Sequence, residues 1–356
     1  MPTENRETIF WRKKEYISFI LSILVFFIHS YYVQDSGNNS LVELINHKTS
    51  FFFSRSITQF AVPMFFILSG ISFFKGYDNK KYPNKIKSRI FTLVIPYLLW
   101  NTVWLLWEIV TSYSFFLVGA ESNALNSLDL ITILKGIFFY GCNPPFWFIF
   151  DLIIFSFLAP VVFLLIKNKY VGIVSIFGLT VLSLFGIHLP ETLFYYPTAI
   201  IFYILGAIIG YHYFDLALLK SSKTIQIGSL LFLASYFIAK TFVPQEFHVD
   251  NYLIETIVFI LCSLSLWNIV DIFIGKIKPR AIYGRSFAIY AMHINVSGIV
   301  MKILSAIIGE NKWLEIPKII LMVISTLIII NLICAFLERF LPKIYGIFMG
   351  NRTKKK

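Results

Sequence analysis

Apolar runs of about 18 residues or more recur along this chain, and each is long enough to cross roughly 30 Å of hydrocarbon. Short polar and basic stretches separate them. The pattern predicts ten membrane-spanning helices, at about 16–33, 52–74, 91–117, 146–166, 171–187, 197–213, 224–243, 252–274, 287–308 and 317–337. They are expected to be helices because an open sheet cannot satisfy its backbone polar groups in lipid. The segment 130–142 is too short to span and runs into Asn143-Pro144-Pro145, so it reads as a re-entrant or interfacial helix on the outer side. The long outer connections are 34–51 and 118–145; the inner ones are shorter. The expected fold is therefore all-α: a polytopic, ten-helix transmembrane bundle with one short re-entrant or interfacial helix. It forms a single integral membrane domain over 1–356.

Composition agrees with that pattern. The chain has 356 residues, 57% hydrophobic and 14% charged, against about 25% charged in soluble domains. No polar stretch is long enough for a separate soluble domain. The net charge is +12, and its placement matters more than its size. Lys and Arg gather in alternate connections: Arg6 to Lys14, Lys75 to Arg89, Lys167 and Lys169, Lys220 and Lys223, Lys276 to Arg285, and Arg339 onward. Basic loops stay in the cytoplasm, which places both termini there and agrees with an even number of crossings. Topology and attraction to anionic lipid account for the basic tail. Nucleic-acid binding is excluded by the lack of a soluble module to present the charge.

The three cysteines, Cys142, Cys262 and Cys334, are odd in number and have no metal-type spacing, so they read as small packing residues with neither disulfide nor metal site. The first apolar segment lacks an A-x-A-like cleavage site and is followed by many more spans, so it reads as a retained helix. No internal repeat of the kind that marks inverted-repeat transporters is found.

Candidate chemistry lies in the polar residues of the apolar runs, since ionisable groups at membrane depth usually face a bundle interior or a wet cavity. Ser18, Ser22 and His29 project from one face of the first helix. His29 suits two roles, a packed ring bonded to a backbone carbonyl or a general base working near neutral pH. Arg55 either snorkels to the interface or places a cation near the mouth of a polar chamber. Pro63 perturbs the second helix. Ser69-Gly70 permits close approach of either another helix or a ligand. Asn101 and Glu108 follow in the third span. Trp147 fits an interfacial belt, whereas Asp151 needs a partner or a proton. The ninth span carries Ser286-Phe287-Ala288-Ile289-Tyr290-Ala291-Met292-His293, with a second membrane histidine that is either structural or functional.

Together these segments resemble the acyltransferase-3 family, integral membrane acyltransferases that decorate cell-surface glycans. The resemblance covers most of the chain. It rests on the first-helix Val25-Phe26-Phe27-Ile28-His29-Ser30, the string Val62-Pro63-Met64-Phe65-Phe66-Ile67-Leu68-Ser69-Gly70, the Lys87-Ser88-Arg89 approach to Pro96-Tyr97, Trp147-Phe148 with Asp151, and Ser286 to His293. The chain departs from the family pattern at Ser18, where an arginine is typical, and at Phe150, where a related subgroup has arginine before the aspartate.

The resemblance implies transfer of an acyl group, most simply acetyl, from cytoplasmic acyl-CoA to a hydroxyl of an extracytoplasmic sugar. The protein would be a multi-pass protein of the bacterial cytoplasmic membrane. His29 would be the base, with Asp151 or Glu108 orienting it. Ser69, Asn101 or Arg55 would donate to the oxyanion. Trp147 and His293 would contact substrate, and Lys81, Lys85, Lys87 and Arg89 would meet the CoA phosphates. Acyl-CoA is then a donor substrate, with no permanently bound cofactor and no metal; membrane lipid and a sugar acceptor are the other partners, and homo-oligomerisation stays open. Two other classes stay open as well: a transporter or flippase of lipid-linked sugars using buried His, Glu and Asp as a proton relay, and an inactive scaffold of a glycan assembly complex.

Overall fold

The computed structural model describes residues 6–30, 40–117, 130–139, 143–187, 189–190, 194, 196, 198–243, 251–274, 280–309 and 311–351. Among the described residues the regular elements are all helices. In chain order these are α1 (Arg6–Ile28), α2 (Leu41–Phe51), α3 (Ala61–Phe74), α4 (Tyr82–Arg89), α5 (Ile95–Leu117), α6 (Leu130–Phe138), α7 (Trp147–Phe157) and α8 (Ala159–Ile166). They continue as α9 (Lys169–Leu184), α10 (Ala199–His212), α11 (Phe214–Ala217), α12 (Lys223–Phe242), α13 (Tyr252–Val270), α14 (Ser286–Ile308), α15 (Glu315–Phe340) and α16 (Pro342–Phe348).

Each of the ten predicted spans falls on helix, but the number long and apolar enough to cross a bilayer is smaller. Among the described residues six continuous helical stretches qualify, and a seventh if α7 and α8 count as one span broken at Leu158. The shortfall has a plain geometric cause. α10 has 14 residues, about 21 Å at 1.5 Å per residue, against roughly 30 Å of hydrocarbon. α9, with 16 residues, is also short. α1 is 23 residues long, but its first half carries Arg12, Lys13, Lys14 and Glu15, which leaves too short an apolar window. Many large apolar side chains point outward, among them Leu231, Ile254, Ile328 and Leu332. A surface of that kind belongs in lipid, and the chain is a multi-pass membrane protein.

The connection expected at 34–51 is corrected in part, because residues 41–51 form α2 and run on as helix into the second span. Its polar residues are turned inward. Asn46 Nδ2 donates to Lys312 O (2.7 Å), Lys48 Nζ donates to Thr241 O (3.1 Å), and Glu43 pairs with Lys312. Leu41, Leu44 and Ile45 face outward. Residues 34–39 of that connection, most of 118–145 and Cys142 lie outside the described residues. The short helix expected at 130–142 is present as α6.

Two π-helices, Phe52–Ser56 and Ile90–Val94, lie shortly before prolines in the following helices, Pro63 in the first turn of α3 and Pro96 at the second residue of α5. A proline removes a donor and crowds the carbonyl four residues back. Widening or breaking the helix ahead of it relieves that clash, and π-turns often mark functional positions.

The described chain forms two compact units. One comprises residues 1–77, 161–188 and 198–334, the other 78–160, 189–197 and 335–356. The spine of the first unit is the crossing of α3 and α10. A Cβ placed on Gly70 would lie 2.3 Å from Tyr203 O, one on Gly206 2.1 Å from Ile67 O, and one on Gly210 2.5 Å from Ile71 O. Only glycine admits backbones this close, the packing mode of small residues four apart in membrane helices. Gly70 therefore serves helix packing. The matching Gly206-x-x-x-Gly210 pair on α10 is legible in the sequence only as a spacing. α1 then packs against α3, α13 and α14.

In the second unit α4 packs on α7, and α5 on α6 and α16. Tyr97 Oη donates to Phe138 O (2.8 Å), and Trp100 Nε1 to Phe348 O (3.3 Å).

Candidate active site

The first unit brings His29 and His293 together. His29 follows the last residue of α1, with its N–H bonded to Phe26 O (3.1 Å). His293 sits in the second turn of α14, which packs against α1. Their ring centroids are 5.6 Å apart at 41°. Phe26 and Tyr290 complete the ring cluster, at 5.5 and 6.2 Å from His293.

The two imidazoles differ in environment. His293 is 1% exposed. Its Nδ1 lies 3.1 Å from Ile289 O and 2.9 Å from Tyr290 O. Two carbonyl oxygens can be satisfied only by an N–H, so the proton is on Nδ1 and Nε2 carries a bare lone pair. That Nε2 is buried and has no partner among the described residues. A buried acceptor left this way is rare and needs an explanation. His29 is exposed at the end of its helix. Arg55 lies on the π-turn Phe52–Ser56, which packs against α1. Around this π-turn Phe53 stacks on Phe27 (5.3 Å), and Ser56 Oγ meets Thr241 Oγ1 (2.8 Å). Ser18 and Ser22 share the His29 helix, but Ser22 Oγ bonds carbonyls of its own helix, those of Ser18 and Phe19 (2.9 and 3.0 Å).

The opposite end of α1 holds a closed polar network, which the sequence did not reveal. Lys13 Nζ and Asp271 Oδ1 are 2.7 Å apart with both side chains nearly fully buried. Lys13 also lies 4.1 Å from the Trp267 ring centroid. The other carboxylate oxygen of Asp271 accepts from Ser221 N (2.9 Å) and Ser221 Oγ (2.8 Å). A buried charge pair is tolerable when its remaining groups are hydrogen-bonded in this way.

The remaining predicted residues lie in the second unit, apart from Ser69, which is half-buried on α3. Asp151 on α7 is fully buried and accepts from Tyr196 N (3.2 Å). Trp147, at the start of α7, makes edge contacts with Phe148 and Tyr196. Asn101 is fully buried; its Nδ2 donates to Ile137 O (3.1 Å), and its Oδ1 is the atom without a partner among the described residues. Glu108 is half-buried on α5. Lys81, Lys85 and Arg89 recur every four residues along the 3-10 turn Asn79–Lys81 and α4 and so share one face, whereas Lys87 lies off it.

A family model described as an acyltransferase domain, the acyltransferase-3 family, matches residues 15–335. The chain belongs to the acyltransferase-3 family. No curated protein and no solved structure matches the chain. The family match includes both histidines, α3 with its Ser69-Gly70 step and the α4 cations, and it extends over parts of both compact units. Acyltransferase activity in the membrane is what membership supports.

Proposed function

We propose that this acyltransferase-3 protein moves an acyl group, most simply acetyl, from cytoplasmic acyl-CoA to a hydroxyl of an extracytoplasmic glycan. The observation that carries this reading is the His29–His293 pair, in which an exposed imidazole stands beside a buried one whose free Nε2 can only accept. His29 takes the proton from the acceptor hydroxyl, and the oxygen bonds to the thioester carbonyl carbon. The carbon–sulfur bond then breaks, and the leaving thiolate takes the proton back from the imidazolium, releasing CoA. General acid–base help of this kind contributes roughly 10²–10⁴-fold. His293 accepts a hydrogen bond at Nε2 and so fixes the ring or hydroxyl beside it. It takes the place beside the base that the sequence offered to a carboxylate. Arg55 is the nearby cation for the charge that develops on the carbonyl oxygen.

In the same reading Lys81, Lys85 and Arg89 offer one cationic face to the phosphates of CoA through charge-assisted bonds. The full count of ten crossings, cytoplasmic termini and a place in the bacterial cytoplasmic membrane follow from the alternation of basic loops. The test is acceptor-dependent release of CoA from acetyl-CoA by the purified full chain in lipid. It is paired with mass analysis of surface glycans from cells carrying wild type or His29→Ala at equal protein level. Wild-type modification in the His29→Ala cells rejects the base assignment. Substrate flux without CoA release moves the protein to the transporter class.

A further inference from the structure

The first unit contains an open-sided cavity of about 680 Å³, lined by α3, α10, α11, α12 and α13 and separate in its lining from the histidine pair. Its size lies in the range of small-molecule sites, and such sites are mostly apolar with a few convergent polar groups. Three helices supply one face each: α3 between Met64 and Ile71, α10 from Leu205 to Ile209 with Tyr213 just past its end, and α13 between Ile260 and Asn268. These side chains recur at three- and four-residue steps, so each helix gives the cavity a continuous apolar stripe.

The polar groups gather at one end. Lys220, Ser221 and Ser222 line the cavity where α11 leads into α12, beside Asn268 near the end of α13. Ser221 donates to Asp271 through both its N–H and its hydroxyl, which fixes this segment to the end of α13. Asp271 lies next to this end but is neutralised by Lys13, so it does not oppose an anion. The Lys220 ammonium is exposed and makes no ion pair among the described residues.

The rim decides the occupant. Leu216, Leu219, Ile225 and Leu264 line the cavity and are each more than half exposed. In a membrane protein such a rim faces hydrocarbon, so access is sideways from the bilayer rather than from water. A CoA nucleotide arrives from water with several phosphate charges and needs several cations, and this cavity has one. We infer that the cavity binds a single membrane glycerophospholipid with an anionic headgroup, its phosphate beside Lys220 and Ser221 and an acyl chain along α3, α10 and α13.

Native mass spectrometry of the full chain, exchanged into equal mixtures of dioleoyl-phosphatidylglycerol and dioleoyl-phosphatidylcholine, reads this directly. Wild type retains one phosphatidylglycerol per chain, and that lipid alone raises its thermal midpoint. Lys220→Gln lowers the preference for phosphatidylglycerol about fivefold, the worth of one lysine near an anionic headgroup. Leu264→Trp blocks the mouth and abolishes retention and the thermal shift. Ile225→Trp, on another part of the rim, repeats the block if the first variant folds poorly. Equal retention of both lipids by wild type overturns the inference, as does unchanged retention in a rim variant that folds. Displacement of the bound lipid by equimolar coenzyme A also overturns it and assigns the cavity to the donor. None of these readouts depends on acyl transfer, so the inference and the proposed activity fail separately.

Discussion

The two ends of α1 treat buried polarity in opposite ways. At one end Lys13 is surrounded by Asp271 and Trp267, and Ser221 completes the bonding of the carboxylate. At the other, His293 has its Nδ1 bound by two carbonyls and its Nε2 left open, with the His29 ring beside it. Both ends bury groups that are costly away from water. One closes its network and so holds α1 to α13. The other leaves an acceptor unbonded among the described residues, in a ring that neighbours His29. One polar site is saturated by its own fold, and the other keeps a buried acceptor that is unbonded among the described residues.

The comparison can be broken at either end. The largest effect is expected for His29→Ala, which should lower acyl transfer by about 10²–10⁴-fold while the thermal midpoint stays near wild type; turnover assays on matched folded protein check this. Asp271→Ala leaves the Lys13 charge buried without its partner and should destabilise the fold by about 3–5 kcal/mol, read by thermal or denaturant unfolding in detergent. Turnover per folded molecule should hardly change.

His293→Asn sharpens the contrast. The amide N–H can still reach a backbone carbonyl, as Nδ1 does, but no acceptor remains at Nε2. A drop in kcat of about tenfold, on the scale of one lost hydrogen bond to a buried group, with little change in unfolding, supports the positioning role. A loss of stability with unchanged kcat makes His293 purely structural. The double change Lys13→Met with Asp271→Leu removes both charges together. It should restore stability to within about 1–2 kcal/mol of wild type, because a buried ion pair and an apolar replacement are often equivalent. Ser22→Ala should be the mildest, within about 1 kcal/mol, since its hydroxyl bonds only carbonyls of its own helix.

Part of this arrangement was legible from residues alone. Long apolar runs name helices because lipid leaves the backbone few other choices, and each of the ten runs is helical here. His29 stood out as an imidazole in an apolar run, and the Val62-to-Gly70 string with the later motifs pointed to the family. Helix lengths were less legible. A run of apolar residues does not say where a helix stops, and α10 is shorter than the run that predicted it. α2 falls within the connection expected at 34–51, yet its Glu43, Asn46 and Lys48 are bonded to other parts of the same unit.

Sequence by itself determined the solvent, the helical class and the family, because these depend on composition and on local order along the chain. Tertiary structure decided which polar groups meet. The partners Lys13 and Asp271 are 258 residues apart, and His29, just past the first helix, meets His293 on the fourteenth. Only the packing of α1 against α13 and α14, on a unit held by the glycine-close crossing of α3 and α10, brings them within reach. Whether a buried nitrogen is bonded or open is a property of three-dimensional neighbours, so no reading of one segment at a time can supply it.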